Sequence, residues 1–331
     1  MALVPAWVNR SFYGRGAEPC VTSRKGTYVL VPMADLDLSG TYTALVTPFG
    51  ASGTELDLAS YEKLLADQLA GKVSGLVPCG TTGEAPTLSV AEQREIVTLT
   101  VRTARGKAKV VAGTGTNDTK KTIEFTKAAF EAGADAAMLA MPYYSKPSQE
   151  GLLRHVTLVA QAAPGPLVLY NIPGRSSVNL EVETLLRILD LCPSVVALKD
   201  ASGGVMYCQE LLARAKGRIT VLSGDDPLTL PLMSVGAEGV ISVTSNVLPR
   251  AVAEVVEEAR AGRYERAREK HAALFPLHRE LFSEPSPAPI KAALVQKGLI
   301  ASAEVRPPLV AASPTCSRRV ADALSAFEAR A

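Results

Sequence analysis

The sequence from Gly40 onward alternates between short apolar segments and longer amphipathic ones, and this alternation limits the fold more than any other feature. The short segments are rich in β-branched and other apolar residues, which is typical of buried strands. They lie at residues 41–47, 75–79, 109–113, 136–140, 167–170, 195–199, 219–222 and 239–243. About eight strand–helix units in succession predict a parallel α/β sheet closed into a (β/α)8 barrel of the TIM type.

The segments between the first four strands predict helices at residues 57–70, 89–104 and 119–132, with Asp57 as the N-cap of the first. The main alternative fold is a doubly wound open sheet, which is typical of dinucleotide-binding proteins. No GxGxxG motif follows the first predicted strand, so the closed barrel is favoured.

After about Gly262 the predicted strands stop and only helices follow. These helices cover about residues 264–282, 290–297 and 314–329, with proline-containing breaks at 284–289 and 306–308. We therefore expect a barrel domain over residues 38–262 and a C-terminal helical domain over residues 263–331.

Residues 1–37 form an N-terminal extension that does not follow this pattern. The extension contains the only tryptophan, Trp7, and more basic than acidic residues, but no apolar core of a secretory signal. It fits either a transit peptide or an overlong gene start, with Met33 as the true initiator. We expect a disordered or loosely attached arm.

Charge and composition exclude several classes of function. A formal net charge of +2 gives no basic excess for nucleic acid, and no apolar run approaches the ~20 residues of a membrane span. Five cysteines without CxxC spacing favour a reducing, cytoplasmic compartment. The three histidines are dispersed, so no metal site is expected.

Polar residues gather at the carboxyl ends of the predicted strands, where the active site of a (β/α)8 enzyme is built. These residues are Thr47, Thr81, Thr82, Tyr143, Tyr144, Tyr170, Asn171, Arg175, Lys199, Ser223, Gly224 and Ser242. Together they place a candidate nucleophile, phenols, hydroxyls and one guanidinium around the same mouth.

Lys199 ends the sixth predicted strand and has two interpretations. A lone lysine after an apolar run more often marks the point where a strand meets water. In a dry pocket, however, desolvation favours the neutral amine, which can attack a ketone and form a Schiff base. The strand by itself leaves both interpretations open.

Two segments support the chemical interpretation, although each has a simpler alternative. Gly80–Glu84 can turn its backbone N–H groups toward a small anion, or it can be an ordinary turn before a helix. Beside a Schiff base, Tyr170 can pass protons with the help of a threonine hydroxyl. Arg175 can clamp a substrate carboxylate or form a surface ion pair.

The motifs in combination resemble the dihydrodipicolinate synthase family. They are GTTGE at 80–84, YY at 143–144, YNIPGR at 170–175, the strand-end Lys199, SGDD at 223–226, GVISVTSN at 239–246 and EPSPAPIKAAL at 284–294. The resemblance runs from about Leu38 to the C-terminus and leaves the first ~38 residues unmatched. Members of this family are (β/α)8 barrels with a C-terminal helical domain, usually homotetramers built as dimers of dimers.

The resemblance implies a reaction and a role for each site residue. The family condenses pyruvate with L-aspartate 4-semialdehyde for lysine and diaminopimelate biosynthesis, without a cofactor. The implied catalytic residues are the Schiff-base Lys199 and the proton-relay residues Tyr170, Thr81 and Tyr144. Tyr144 is expected to enter the neighbouring subunit's site. The implied substrate-binding residues are Thr82 for pyruvate, Arg175 for the semialdehyde, and Gly224 and Ile241, which line the site.

Two alternatives of function remain. Relatives on the same barrel use the same lysine and tyrosine as N-acetylneuraminate lyase or 2-keto-3-deoxy sugar-acid aldolases. The GTTGE motif, where the lyase typically has GSTGE, and Arg175 favour the synthase. The other alternative is a non-catalytic binding protein whose barrel has lost its activity, but a matching residue is present at each site position.

The resemblance also bears on regulation. In family members that L-lysine inhibits, the effector binds at a subunit interface behind the residue matching Tyr143, and an acidic side chain meets its amine. Here Asn117 is kept, but Lys121 occupies the position of the acid. We therefore expect weak or absent inhibition by L-lysine, unless Glu84 or Glu92 supplies another acid.

Overall fold

The computed structural model describes residues 20–24, 27–31, 36–163 and 165–329. Two strands within the N-terminal extension, β1 (Cys20–Arg24) and β2 (Thr27–Val31), pair in antiparallel fashion. The predicted loose or disordered arm over residues 1–37 falls largely outside the described residues and stays a prediction.

Eight parallel strands close into a barrel, which confirms the predicted fold class. They are β3 (Gly40–Ala44), β4 (Gly75–Val77), β5 (Lys109–Gly113), β6 (Ala136–Ala140), β7 (Leu167–Asn171), β8 (Val195–Asp200), β9 (Thr220–Ser223) and β10 (Gly239–Ser242). The ring closes where β10 pairs with β3, with Ile241 opposite Tyr42. Because all the strands are parallel, their carboxyl ends meet at one mouth of the barrel.

Helices connect the strands. They are α1 (Leu58–Ala70), α2 (Val90–Ala104), α3 (Thr119–Glu131), α4 (Gln149–Ala162), α5 (Pro173–Ser176), α6 (Val182–Leu191), α7 (Val205–Ala215), α8 (Thr229–Ser234) and α9 (Pro249–Arg260). The Asp57 carboxylate accepts a hydrogen bond from the Ser60 N–H at 2.9 Å, which confirms Asp57 as the N-cap of α1. Ser89 and Glu92 form a capping box at the start of α2.

Three further helices follow the barrel, α10 (Tyr264–Glu280), α11 (Ala288–Gln296) and α12 (Pro314–Glu328). Their apolar residues belong to the buried clusters of the barrel: Leu277 and Leu294 share one cluster with Leu64 and Val77, and Leu274 shares the other with Leu198. The boundary at residues 262 and 263 stays a prediction, and the apolar packing runs across it.

Four cysteines of the described region, Cys79, Cys192, Cys208 and Cys316, are buried free thiols. The expected cytoplasmic location stays a prediction. None of the helices that the structure describes is both long enough and apolar enough to cross a membrane.

Candidate active site

Lys199 lies near the carboxyl end of β8, and only 5% of its surface is exposed. Its register neighbour in β7 is Tyr170. The Lys199 Nζ lies 4.1 Å from the centre of the Tyr170 ring, and no described carboxylate forms a salt bridge with it. The lysine therefore sits in a dry environment and does not simply mark where the strand meets water.

This environment changes the acidity of the Lys199 amine. Burial lowers the pKa of Lys199 from 10.5 to about 8, because desolvation disfavours the ammonium form. The Asp226 carboxylate opposes this shift, and the Arg175 guanidinium adds to it to a smaller extent. A much larger share of the amine is therefore neutral, and hence nucleophilic, near pH 7.

Gly224 gives the Lys199 side chain its room. A Cβ atom at Gly224 would lie only 3.0 Å from the Lys199 Cε and 3.1 Å from its Cγ. The Gly224 N–H donates a hydrogen bond to the Asp200 carbonyl at 2.7 Å, which holds the loop after β9 close to β8. Ile241, in the neighbouring β10, is 1% exposed and belongs to the barrel core.

Tyr170 is buried beside Lys199, and its phenol interacts with the Thr81 side chain. Burial raises the pKa of Tyr170 to about 12. The Arg175 guanidinium and the Thr81 side chain oppose this rise. The phenol is therefore protonated at neutral pH, and it can donate a proton to a neighbouring group and recover it.

The turn Gly80–Glu84 follows β4 and presents backbone donors. The Gly83 N–H donates to the Gly80 carbonyl at 3.1 Å, whereas in the described part of the chain the N–H groups of Thr81 and Thr82 donate to no acceptor. A Cβ at Gly83 would lie 3.1 Å from the Leu45 carbonyl oxygen, so glycine permits a close approach to the loop after β3. Two adjacent free N–H groups suit a small carboxylate.

A cavity of about 380 Å³ opens at the same mouth. Thr81, Tyr170 and Arg175 line it, together with Tyr143, Asn117 and Lys121. Arg175 lies in the short helix α5 directly after β7 and is exposed. Its guanidinium forms no ion pair with the residues described, so it is available to a ligand carboxylate.

Tyr144 is the predicted site residue that the single chain does not bring to Lys199. It is 90% exposed and is not among the residues that line the cavity. Its backbone has a φ of 72°, in the left-handed region that few side chains adopt without strain. The geometry separates Tyr144 from Tyr143, which faces the cavity.

Asp226 was missed as a site residue from the sequence alone. It is 2% exposed, and its carboxylate accepts hydrogen bonds from the Val243 N–H at 2.9 Å and the Thr244 N–H at 3.2 Å. The carboxylate lies close enough to Lys199 to affect the lysine pKa. The signal was the second acid of SGDD, three residues after the strand-end Ser223. Among the described residues, no cluster of three or more His, Cys, Asp or Glu side chains could hold a metal ion.

Comparison with known proteins identifies the family. A model of the dihydrodipicolinate synthetase family matches residues 37–327. The chain belongs to this family. It is 55% identical over 298 residues to the 4-hydroxy-tetrahydrodipicolinate synthase of Sorangium cellulosum, and the match covers 90% of this chain and 99% of that protein.

Solved structures of the family have the same architecture. The 4-hydroxy-tetrahydrodipicolinate synthase of Methylacidiphilum fumariolicum superposes with a TM-score of 0.86 at 41% identity, covering 89% of this chain and 97% of that one. A chloride-inhibited dihydrodipicolinate synthase of Acinetobacter baumannii, solved in complex with pyruvate, has a TM-score of 0.86 at 39% identity, with coverages of 88% and 99%. The family assignment and the TIM-barrel fold predicted from the sequence are both confirmed.

Proposed function

We propose that this family member condenses pyruvate with L-aspartate 4-semialdehyde to form 4-hydroxy-tetrahydrodipicolinate and water. The observation that carries the proposal is Lys199, a buried lysine that forms no salt bridge with any described residue and whose Nζ lies 4.1 Å from the centre of the Tyr170 ring. The relatives described above are synthases, which supports this substrate pair over the sugar-acid substrates of other pyruvate aldolases. The enzyme is a lyase that uses no cofactor.

Pyruvate binds first, with its carboxylate on the turn Gly80–Glu84. The free N–H groups of Thr81 and Thr82, with the Thr82 hydroxyl, are the donors for that carboxylate. The neutral Lys199 amine then attacks the ketone carbon. Tyr170 protonates the leaving hydroxyl, one water departs, and a C=N bond to Lys199 replaces the C=O bond.

The iminium formed on Lys199 withdraws electrons from the neighbouring methyl group. The methyl group loses a proton to become an enamine, and the enamine carbon attacks the aldehyde of the second substrate. Arg175 holds the carboxylate of that substrate by charge-assisted hydrogen bonds. The substrate amine then attacks the imine carbon, closes the ring and releases Lys199 as a free amine.

Tyr144 has its function in an oligomer. Because it is 90% exposed on the single chain, we propose that it enters the site of a neighbouring subunit and joins the relay of Tyr170 and Thr81. The assembly that fits this arrangement is a homotetramer built as a dimer of dimers.

Mixing subunits that carry Tyr144→Phe with subunits that carry Lys199→Ala should restore part of the activity that each variant lacks. Inactive mixtures of correctly assembled oligomers would argue against a shared site.

Borohydride reduction in the presence of pyruvate tests the chemistry directly. The Schiff base on Lys199 is reduced to a stable secondary amine, so we expect one pyruvate-derived adduct per chain, located at Lys199 by peptide mass spectrometry. Lys199→Ala should abolish it, and Lys146→Ala, which changes an exposed lysine after the Tyr143–Tyr144 pair, should leave it unchanged. An adduct that persists in Lys199→Ala would refute the assignment.

The second substrate is tested by steady-state kinetics. The synthase should turn over aspartate semialdehyde far faster than it cleaves N-acetylneuraminate or a 2-keto-3-deoxy sugar acid. If the enzyme preferred either sugar acid, the Schiff-base chemistry would still stand but the synthase activity would be ruled out. A chain that forms no adduct with pyruvate would be a binding protein.

A further inference from the structure

Glu84 ends the pyruvate-binding turn in a constrained position. Its backbone adopts the left-handed conformation, with a φ of 55°, and its side chain is fully buried. Its N–H donates to the Thr81 carbonyl at 3.1 Å, so the conformation of Glu84 is coupled directly to the threonine pair. A shift of the Glu84 side chain would therefore move the donors that face pyruvate.

The group that holds Glu84 comes from the far end of the chain. Lys291, in α11, donates from its Nζ to the Glu84 Oε1 at 2.6 Å, and neither side chain is exposed to solvent. The same Nζ donates to the Glu304 carbonyl at 2.7 Å and lies 4.1 Å from the centre of the Phe49 ring. The second carboxylate oxygen, Oε2, accepts from the Arg306 N–H at 2.9 Å. Glu84 is thus held from two directions by the C-terminal helical region.

The contacts extend to the loop after β3, which packs beside the turn. Thr47 donates from its hydroxyl to the Gly83 carbonyl at 2.8 Å. The Arg306 guanidinium donates to the Gly53 carbonyl at 3.0 Å and to the Thr87 carbonyl at 3.0 Å, on either side of the turn. The C-terminal region therefore clamps two of the loops that form the mouth of the barrel.

A buried ion pair is a poor source of stability, because removing two charges from water costs about as much as their attraction returns. The pair lies at Glu84, the residue in the left-handed conformation that ends a turn with two free N–H groups, and this position indicates a geometric role. We infer that Lys291 is a positioning residue for the pyruvate-binding turn, acting through Glu84. This inference rests on the proposed function, because the proposed function makes pyruvate the ligand of the turn. Lys291 itself does not react, since it is fully enclosed and both its oxygen partners are fixed.

A positioning role for Lys291 predicts that its removal affects the binding of pyruvate more than the later steps of the reaction. Without Lys291 the turn relaxes and its N–H groups no longer converge on the pyruvate carboxylate. Misplacing a binding group costs up to about a hundredfold even when the change lies away from the chemistry. We expect Lys291→Met to raise the KM for pyruvate by about ten- to a hundredfold, with a smaller change in kcat and an unchanged KM for the semialdehyde.

Lys297→Met is the matched control. Lys297 directly follows α11 and also ties the helical region to the barrel, through a 2.6 Å hydrogen bond from its Nζ to the Val247 carbonyl. It makes no hydrogen bond or ion pair with the turn. We expect it to leave the KM for pyruvate unchanged, even if it lowers the thermal midpoint.

A double variant separates positioning from folding. Lys291→Met alone leaves the Glu84 carboxylate buried without its cation, and this variant can fail to fold. In the double variant Glu84→Gln with Lys291→Met neither member of this pair carries a charge. The thermal midpoint should therefore recover toward that of the wild type. The KM for pyruvate should stay raised, because the bond from α11 to the turn is still missing.

The outcomes are distinct. A folded double variant with the pyruvate KM and borohydride-trapping rate of the wild type would overturn the positioning role. An equal rise of the pyruvate KM in Lys297→Met would also overturn it, because the effect would then be a general loosening of the helical region. Failure of the wild type to form any pyruvate adduct would instead reject the proposed function.

Discussion

The chemistry of the site depends on how one lysine is desolvated. Lys199 lies next to the last residue of β8, packs against Tyr170 and has Gly224 beside its side chain. Burial favours the neutral amine, whereas the Asp226 carboxylate favours the ammonium form. The balance places the pKa at about 8, which allows the amine to be protonated at rest and still reactive at neutral pH.

The pH dependence of adduct formation tests this balance. If the neutral Lys199 amine is the nucleophile, as proposed, the initial rate of borohydride trapping should rise with pH and level off above the lowered pKa of Lys199, about 8 rather than the ordinary 10.5. Asp226→Asn removes the negative charge that raises the pKa of Lys199, so the rise of the trapping rate with pH should occur at lower pH. A limb that stays near the pKa of free lysine would show that the amine is not desolvated.

Arg175 is tested by its effect on one substrate only. A charge-assisted hydrogen bond contributes roughly 1.5–3 kcal/mol, so Arg175→Ala should raise the KM for the semialdehyde by about ten- to a hundredfold. Pyruvate trapping should remain. Arg218→Ala is the control, because Arg218 precedes β9 at the opposite end of the barrel and pairs with Asp190 at 2.6 Å. If the kinetics with the semialdehyde were unchanged, Arg175 would not bind the substrate carboxylate and would have only a surface role.

At the scale of elements, strands carry Lys199 and Tyr170, and the loops at the same mouth supply further groups of the site. The first strand is shorter than the sequence predicts: residues 45–47 are expected to continue it, but β3 ends at Ala44. The Leu45 N–H still donates to the Val77 carbonyl at 3.1 Å, after which the chain turns outward and Thr47 meets the Gly83 carbonyl. The hydroxyl that supports the turn is therefore supplied by a loop.

The N-terminal extension should be dispensable. The barrel begins at Gly40 and the match to the family begins at residue 37, so a chain that starts at Met33 keeps every element of the barrel. We expect its thermal midpoint, oligomer size and kcat/KM to equal those of the full chain. A clear fall in the midpoint or loss of the oligomer would show that the extension packs on the body.

At the scale of the whole molecule, the cavity that reaches Tyr170 also includes the segment expected at a subunit interface. Asn117, Lys121 and Tyr143 line it. The two acids that could have replaced the missing one are occupied elsewhere. Glu84 binds Lys291, and Glu92 binds the Arg306 guanidinium at 2.6 Å. Among the described residues that line the cavity, none is an acid that could pair with an incoming ammonium, whereas Lys121 is cationic.

We therefore expect the enzyme to be insensitive, or nearly so, to millimolar L-lysine. The like charge of Lys121 repels the effector's amine, and Lys121→Glu should introduce or strengthen inhibition by reversing that charge. Titration of L-lysine into the steady-state assay measures both. Strong inhibition of the wild type at submillimolar L-lysine would refute this account of the interface.

The sequence alone determined the barrel, the order of its units and most of the site, because these depend on local pattern. Apolar runs predict strands, Asp57 and Ser89 mark helix starts, and residues at strand ends such as Lys199 meet at one mouth in any parallel barrel. Only the tertiary structure could decide which groups face one another across the closed ring. Glu84 and Lys291 pair although they lie 207 positions apart in the sequence, and the Asp226 carboxylate, which follows β9, affects the pKa of Lys199. Burial and pairing of charge depend on contacts that exist only once the barrel and the C-terminal helices have packed, and no local periodicity encodes them.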